Sequence, residues 1–269
     1  MAKKQRLDLL VVERGLAESR TQAQALVMAG EVRVNGEVAR KAGQQVDADA
    51  QIEVARPLPY VSRGGVKLEG ALADFGYDPA GKLCADVGAS TGGFTDVLLQ
   101  QGAVRVYAID VGYGQLAWKL RQDERVVVIE RTNARHLDTL GESIDLTVMD
   151  ASFISIELLL PAIAKWLRPA GDVITLIKPQ FEAGREEVGK GGVVRDAAVH
   201  ERVLTDLVAH VESHGWTVRA LTVSPIAGPA GNIEFFLWLG LGVGEPYDMT
   251  EAVKRVLERA QQIRGESPS

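Results

Sequence analysis

The chain has 269 residues, 46% of them apolar and 25% charged, with a formal net charge of −6. That balance excludes a disordered chain, and the length accommodates a small module plus one ordinary domain. The single cysteine, Cys84, excludes a disulfide framework and any cysteine-based metal site.

The start MAKKQRLD carries no apolar signal region, and no apolar run is long enough to span a bilayer. The expectation is a cytoplasmic protein with no membrane role. Charge is unevenly spread: residues 1–45 carry a net +3, while the remainder is acidic. A basic appendage on an acidic body suggests an anion-binding arm.

In chain order, Leu7, Leu10 and Val11 share one face of a first helix that Gly15 can end. Ser19 is a plausible cap for a second helix carrying Ala23, Leu26 and Val27 inward, closed by Gly30. Val32 and Val34 alternate as a strand, Asn35-Gly36 is a hairpin turn, and Val46, Ile52 and Val54 continue the β character. Arg56-Pro57-Leu58-Pro59 reads as a stiff linker. Apolar runs at 83–87, 104–109, 126–129, 144–149 and 173–177 then alternate with helical segments near 66–75, 94–101, 114–122, 155–167 and 198–214. Two more strands fall near 217–223 and 233–239. This alternation predicts a doubly wound α/β domain on a mostly parallel sheet. The expected division is 1–59 for the small α+β module, 60–245 for the α/β domain and 246–269 for a polar C-terminal tail with one weak amphipathic stretch and a loose GESPS end. Pro179 to Asp196, rich in glycine and charge, reads as a structureless loop that covers a substrate.

The strongest chemical signal is Asp86-Val-Gly88-Ala-Ser90-Thr-Gly92-Gly93-Phe94, placed between the first strand and the next helix. Glycines there let a ligand approach the backbone, at the edge where open α/β sheets bind ligands. The spacing is not the dinucleotide fingerprint, which disfavours a nicotinamide-dependent oxidoreductase. Asp110 ends the second strand, where a carboxylate can accept from both hydroxyls of a ribose. Asn133 and Arg135 follow the third strand, where an adenine would be gripped. Together these imply an adenosine-containing cofactor. Four ionisable residues are directed to the same sheet edge: Lys67, Asp150, Lys178 and Glu234. Clustering them would perturb the lysines in opposite directions, burial and like charge lowering, carboxylates raising.

Over almost its whole length the chain resembles the TlyA (hemolysin A) family of ribosomal RNA 2′-O-ribose methyltransferases, an S4 RNA-binding domain joined to an FtsJ-like domain. The motifs are Arg6-Leu7-Asp8, Gly15, Ser19-Arg20 and Gly30 through Gly36 in the first part. In the second they are VSRGGVKL, DVGASTGGFTD, DVGYGQLAW, ERTNAR, the Asp150 segment with SFIS, KPQFE, GKGGVVRD and GNIEFF. The resemblance implies a Rossmann-like, seven-stranded methyltransferase fold and S-adenosyl-L-methionine as cofactor. It places the catalytic tetrad on Lys67, Asp150, Lys178 and Glu234. Cofactor contacts fall on Asp86, Gly88, Ser90, Gly92, Asp110, Asn133 and Asp150. The implied partner is ribosomal RNA within ribosomal subunits, the target a cytidine in 23S and possibly 16S rRNA, and no metal is required. Lys178 would accept the proton of the ribose 2′-hydroxyl or stabilise the emerging alkoxide, and the sequence leaves both roles open. Lys3, Lys4, Arg6, Arg14, Arg20, Arg33 and Lys41 would contact phosphates. The competing readings are a membrane-active cytolysin, which the older family name suggests, and a non-catalytic RNA-binding protein.

Overall fold

Helix and strand signals resolve into two compact units that divide between Leu58 and Pro59. The structure is a computed structural model and describes residues 4–17, 19–28, 30–54, 59–228, 230–242, 244 and 247–266. Lys3 lies outside the described residues, as do Arg56, Pro57 and Leu58 of the expected linker.

The first unit contains β1 (Lys4–Arg6), α1 (Leu7–Glu13), α2 (Arg20–Met28), β2 (Val32–Val34), β3 (Glu37–Val38), β4 (Gln45–Asp47) and β5 (Ile52–Val54). Its strands form the antiparallel sheet β3-β2-β5 and the pair β1-β4. Leu7, Leu10, Val11, Ala23, Val27 and Val32 make its core, on the faces that helical and strand periodicity predict. Asn35 and Gly36 both adopt positive φ, at 51° and 84°, as a two-residue hairpin turn demands. Ser19 caps α2 by accepting from the Gln22 N–H.

The second unit begins with α3 (Arg63–Phe75), β6 (Leu83–Val87), α4 (Gly93–Gln100), β7 (Arg105–Ile109), α5 (Trp118–Arg121) and β8 (Val126–Ile129). It continues with β9 (Ile144–Met149), α6 (Leu160–Trp166), β10 (Leu167–Ile177), α7 (Pro179–Glu182), α8 (Ala197–Ser213), β11 (Trp216–Val223), β12 (Phe235–Leu241) and α9 (Met249–Glu266). The sheet order is β11-β12-β10-β9-β6-β7-β8, with β12 antiparallel to both neighbours. This is the seven-stranded, mostly parallel sheet expected. Leu68, Leu72, Phe94 and Leu98 cover one face; Ile163, Leu204, Val208 and Val256 cover the other. The chain winds outward from β6 to β8, then returns to place β9 on the opposite side of β6. That reversal opens a crevice at the carboxyl ends of β6 and β9.

Three local expectations are corrected. The helix expected over 114–122 shrinks to Trp118–Arg121, because Gly114 sits at φ 72° and cannot continue a helix backward. The expected polar tail is largely α9, whose Ala252, Val253, Val256 and Ala260 are buried in the core. Its apolar residues recur at helical spacing, but they are sparse among charges. The loop from Pro179 to Asp196 also has structure: α7, a 3-10 turn at Arg185–Glu187 and a bridge between Gly189 and Val193.

Candidate active site

The crevice is built by the backbone first. Val87 accepts from the Asp150 N–H, and the N–H groups of Gly88 and Ala89 both reach the Ile109 carbonyl. Gly88 adopts φ 83°, and a Cβ there would lie 2.7 Å from the Asp150 carbonyl oxygen. Only glycine satisfies both conditions. Ser90 follows at φ 49° and donates its N–H to Asp110, whose other oxygen accepts from Gly112 at 2.6 Å. Asp110 is thereby held at the mouth with both oxygens oriented.

A cavity of about 830 Å³ opens here, lined by Gly88, Ser90, Asp110, Asn133, Arg135 and Asp150 among others. The Asn133 side chain accepts from the Arg135 N–H and so caps the 3-10 turn Ala134–His136. A second cavity of about 340 Å³ adjoins it, sharing Gly88, Ser90 and Asp150 and adding Lys67 and Asp86. Gly92 lines neither cavity. Its φ of 95° and its contact with Leu116 and Leu120 make it a packing requirement of the turn.

Asp86 is fully buried on β6. One oxygen accepts from both the N–H and the hydroxyl of Thr95; the other, Oδ1, has no hydrogen-bond partner. Burial pushes its carboxyl up to about 7, against the hydrogen bonds from Thr95. A carboxyl in that state carries a proton through much of the neutral range.

The four expected catalytic residues converge. Lys178 follows β10, Asp150 follows the adjacent β9, and Lys178 Nζ lies 2.7 Å from Asp150 Oδ1. Glu234 precedes β12, whose first residue Phe235 pairs with Ile177, so antiparallel pairing delivers it to the same edge. Lys67 reaches in from α3 and donates to Glu234 Oε2 at 2.5 Å. Lys67, Lys178 and Glu234 are all buried. Burial raises the Glu234 carboxyl, with Lys67 opposing. Gly228 leaves room for that carboxylate, since a Cβ there would meet Glu234 Oε1 at 2.4 Å. Sequence reasoning passed over Ser152, whose hydroxyl accepts from Lys178 at 2.6 Å, and Thr95. A hydroxyl residue two places beyond a strand-end aspartate was the available signal for Ser152. Asn232, also missed, is buried, accepting from the Val194 N–H and donating to the Gly192 carbonyl. It ties the Gly189–Val193 bridge to the strand of Glu234.

In the first unit, Arg6, Arg20 and Gln24 all donate to the buried Asp8. The Arg6 hydrogen bonds hold its carboxyl well below the usual range. Arg14 is tied to the carbonyls of Ala48 and Ala50, and Arg33 to that of Gly36. Lys4, Arg14, Arg20, Arg33 and Lys41 are exposed and Arg6 is half-buried.

With this geometry in place, the sequence profile described as FtsJ-like methyltransferase matches residues 60–241. The chain belongs to the FtsJ-like methyltransferase family. A second profile, the S4 domain, matches residues 5–52 of this methyltransferase. The 16S/23S rRNA (cytidine-2′-O)-methyltransferase TlyA of Mycobacterium tuberculosis is 48% identical over 243 residues, 89% of this chain and 91% of that protein. Hemolysin A of Brachyspira hyodysenteriae is 47% identical over 234 residues, 86% of this chain and 97% of its own. A solved structure from Streptococcus thermophilus, assigned to the hemolysins, superposes with a TM-score of 0.77 at 44% identity, covering 99% of this chain and 98% of that one. The expected TlyA resemblance therefore holds across both units. Among the described residues no helix is long and apolar enough to cross a membrane.

Proposed function

We propose that this methyltransferase moves a methyl group from S-adenosyl-L-methionine to the 2′-oxygen of a cytidine ribose in ribosomal RNA, acting on ribosomal subunits. The observation that carries this reading is the pair of lysine–carboxylate contacts, Lys67–Glu234 and Lys178–Asp150, of which Asp150 lines both cavities and Lys67 the smaller.

The residues present fit the cofactor. The larger cavity is within the range that holds ligands of its size, roughly 300–1,000 Å³. Gly88 leaves the floor clear, Asp110 offers an oriented carboxylate for ribose hydroxyls, and the unpartnered Asp86 Oδ1 awaits a polar group or water. Asp86, Gly88, Ser90, Asp110, Asn133 and Asp150 would hold it, with Gly92 shaping the turn. When bound, S-adenosyl-L-methionine supplies an electrophilic methyl group.

The protein's part is to hold the 2′-hydroxyl and accept its proton. Lys178 Nζ receives that proton, and Asp150 beside it favours the charged product. Before transfer, an unprotonated Lys178 leaves three ionised groups, Lys67, Asp150 and Glu234, with one negative charge in excess; accepting the proton cancels it. Lys67 and Glu234 already form a neutral, hydrogen-bonded pair, so their work is to position the ribose and exclude water. Phe153 stands 89% exposed at the mouth and offers an aromatic face on which a nucleobase can stack.

The S4 unit supplies phosphate contacts through its exposed cations. Lys4 and Lys41 are the freest candidates, while Arg6 and Arg20 project from a scaffold organised by Asp8. The test is incubation with radiolabelled S-adenosylmethionine and separate unmethylated 30S and 50S subunits, followed by mapping of the modified nucleotide. A labelled cytidine 2′-oxygen supports the reading. Label on a base, or on neither subunit, overturns it.

A further inference from the structure

Besides the Phe181 ring 5.8 Å from its Nζ, two polar contacts hold Lys178, and they differ in kind. Asp150 Oδ1 sits 2.7 Å from Nζ as an ion-pair partner, without the alignment of a hydrogen bond. Ser152 Oγ, at 2.6 Å, is an aligned acceptor. An ion pair is nearly non-directional and fixes where Nζ lies. A hydrogen bond fixes how the amine is rotated about its Cε–Nζ bond.

The serine is itself held in place. Phe153, the next residue, adopts φ 63°, a strained conformation for a bulky side chain. Its ring packs on Phe181, one turn beyond Lys178, with centroids 4.9 Å apart. One residue further on, Glu182 accepts from the Ile156 N–H at 3.1 Å. Three successive contacts thus lock the segment after β9 to the segment after β10, and the Ser152 hydroxyl lies between them. Ser152 is otherwise exposed and lines the larger cavity, so packing does not require a hydroxyl there.

We infer that Ser152 is a positioning residue for the reaction: its hydroxyl orients the Lys178 amine so that the lone pair faces the ribose 2′-oxygen. This rests on the reading of Lys178 as the proton acceptor. With one N–H given to Ser152, rotation about the Cε–Nζ bond is set, and the lone pair of a neutral amine is held in one direction beside the cavity that Ser152 and Asp150 line. Proton balance is simple: the 2′-hydroxyl loses its proton, Nζ gains it, and Ser152 keeps its own throughout.

The experiment compares Ser152→Ala, Ser152→Thr and Lys178→Ala. Readouts are single-turnover methylation of unmethylated subunits across pH, KM for subunits, and calorimetric affinity for S-adenosylhomocysteine. Ser152→Ala should lower kcat about tenfold to hundredfold, a range set by the cost of misorientation. KM and S-adenosylhomocysteine affinity should stay within about twofold. Loss of an acceptor that favours the charged amine also moves the acidic limb of the pH–rate profile to lower pH, which a merely structural role would not do. Ser152→Thr should restore most of the rate. Wild-type rate and profile in Ser152→Ala, with Lys178→Ala inactive, overturn the role of Ser152 alone. Near-normal activity in Lys178→Ala overturns the reading beneath it as well. Parallel loss of kcat, cofactor affinity and melting temperature in Ser152→Ala would show a structural role and overturn the inference.

Discussion

Replacing Gly88 by alanine separates two burdens that the glycine carries. The first is conformational: at φ 83° an alanine is strained by about 1–2 kcal/mol. Gly141 carries that burden alone, because it has the same φ of 83° and nothing within 4 Å of an added Cβ. The second is steric. At Gly88 the Cβ would lie 2.7 Å from the Asp150 carbonyl oxygen and 3.0 Å from its carbon. Both are backbone atoms just beyond the end of β9, held to β6 by the Asp150 N–H to Val87 bond, so the two strand ends must part, at a cost of about 2 kcal/mol beyond the strain. For a unit of about 200 residues that is a further 4–8 °C in Tm, relative to Gly141→Ala. Because the same atoms floor both cavities, affinity for S-adenosylhomocysteine should fall at least about tenfold in Gly88→Ala and stay unchanged in Gly141→Ala. Gly92→Ala tests the distinction further. Its Cβ would meet the tips of Leu120 and Leu116, so it should lose stability with little loss of binding. Scanning calorimetry and titration calorimetry on the three variants read both quantities. Equal Tm and equal affinity in Gly88→Ala and Gly141→Ala would refute the argument.

Three other outcomes follow from the site and the first unit. Lys178→Ala should abolish methyl transfer while S-adenosylhomocysteine still binds, measured by filter assay and calorimetry; retained transfer would remove Lys178 from the mechanism. Asp86 has a folded-state value of about 7, above its unfolded one, so its share of stability is full below about pH 4 and is lost as pH rises through 7. Asp86→Asn should flatten that part of the urea-midpoint profile between about pH 4 and 7, and an unchanged slope would mean the carboxyl is ionised throughout. Deleting residues 1–58 should weaken subunit binding and reduce its salt dependence, with cofactor affinity preserved; an unchanged salt slope would count against phosphate contacts by the S4 unit.

Periodicity and punctuation were enough to lay out most of this molecule. The runs at 83–87, 126–129 and 144–149 are strands with those same bounds, because strands covered by helices leave a mostly apolar signature. The Asn35-Gly36 turn and the glycine loop after β6 were legible for a similar local reason: positive φ selects for residue type. What stayed hidden depends on partners distant in sequence. Α9 was read as a tail because its few apolar side chains count only when β11 and α8 are there to receive them. Arg20 was read as a phosphate ligand, yet it also closes on Asp8, a contact that needs α1 and α2 packed together.

The same division runs through the active site. Chain order and residue type directed Asp150, Lys178 and Glu234, which follow or precede strands, and Lys67, on the helix entering the first strand, to one sheet edge, and the family resemblance made them the catalytic set. Which lysine pairs with which carboxylate was decided by the tertiary structure. Parallel pairing of β9 with β10 sets Lys178 beside Asp150, and the antiparallel β12 carries Glu234 to Lys67 on α3. Distances of a few ångströms between residues up to 167 positions apart are properties of packing, and no local pattern encodes them.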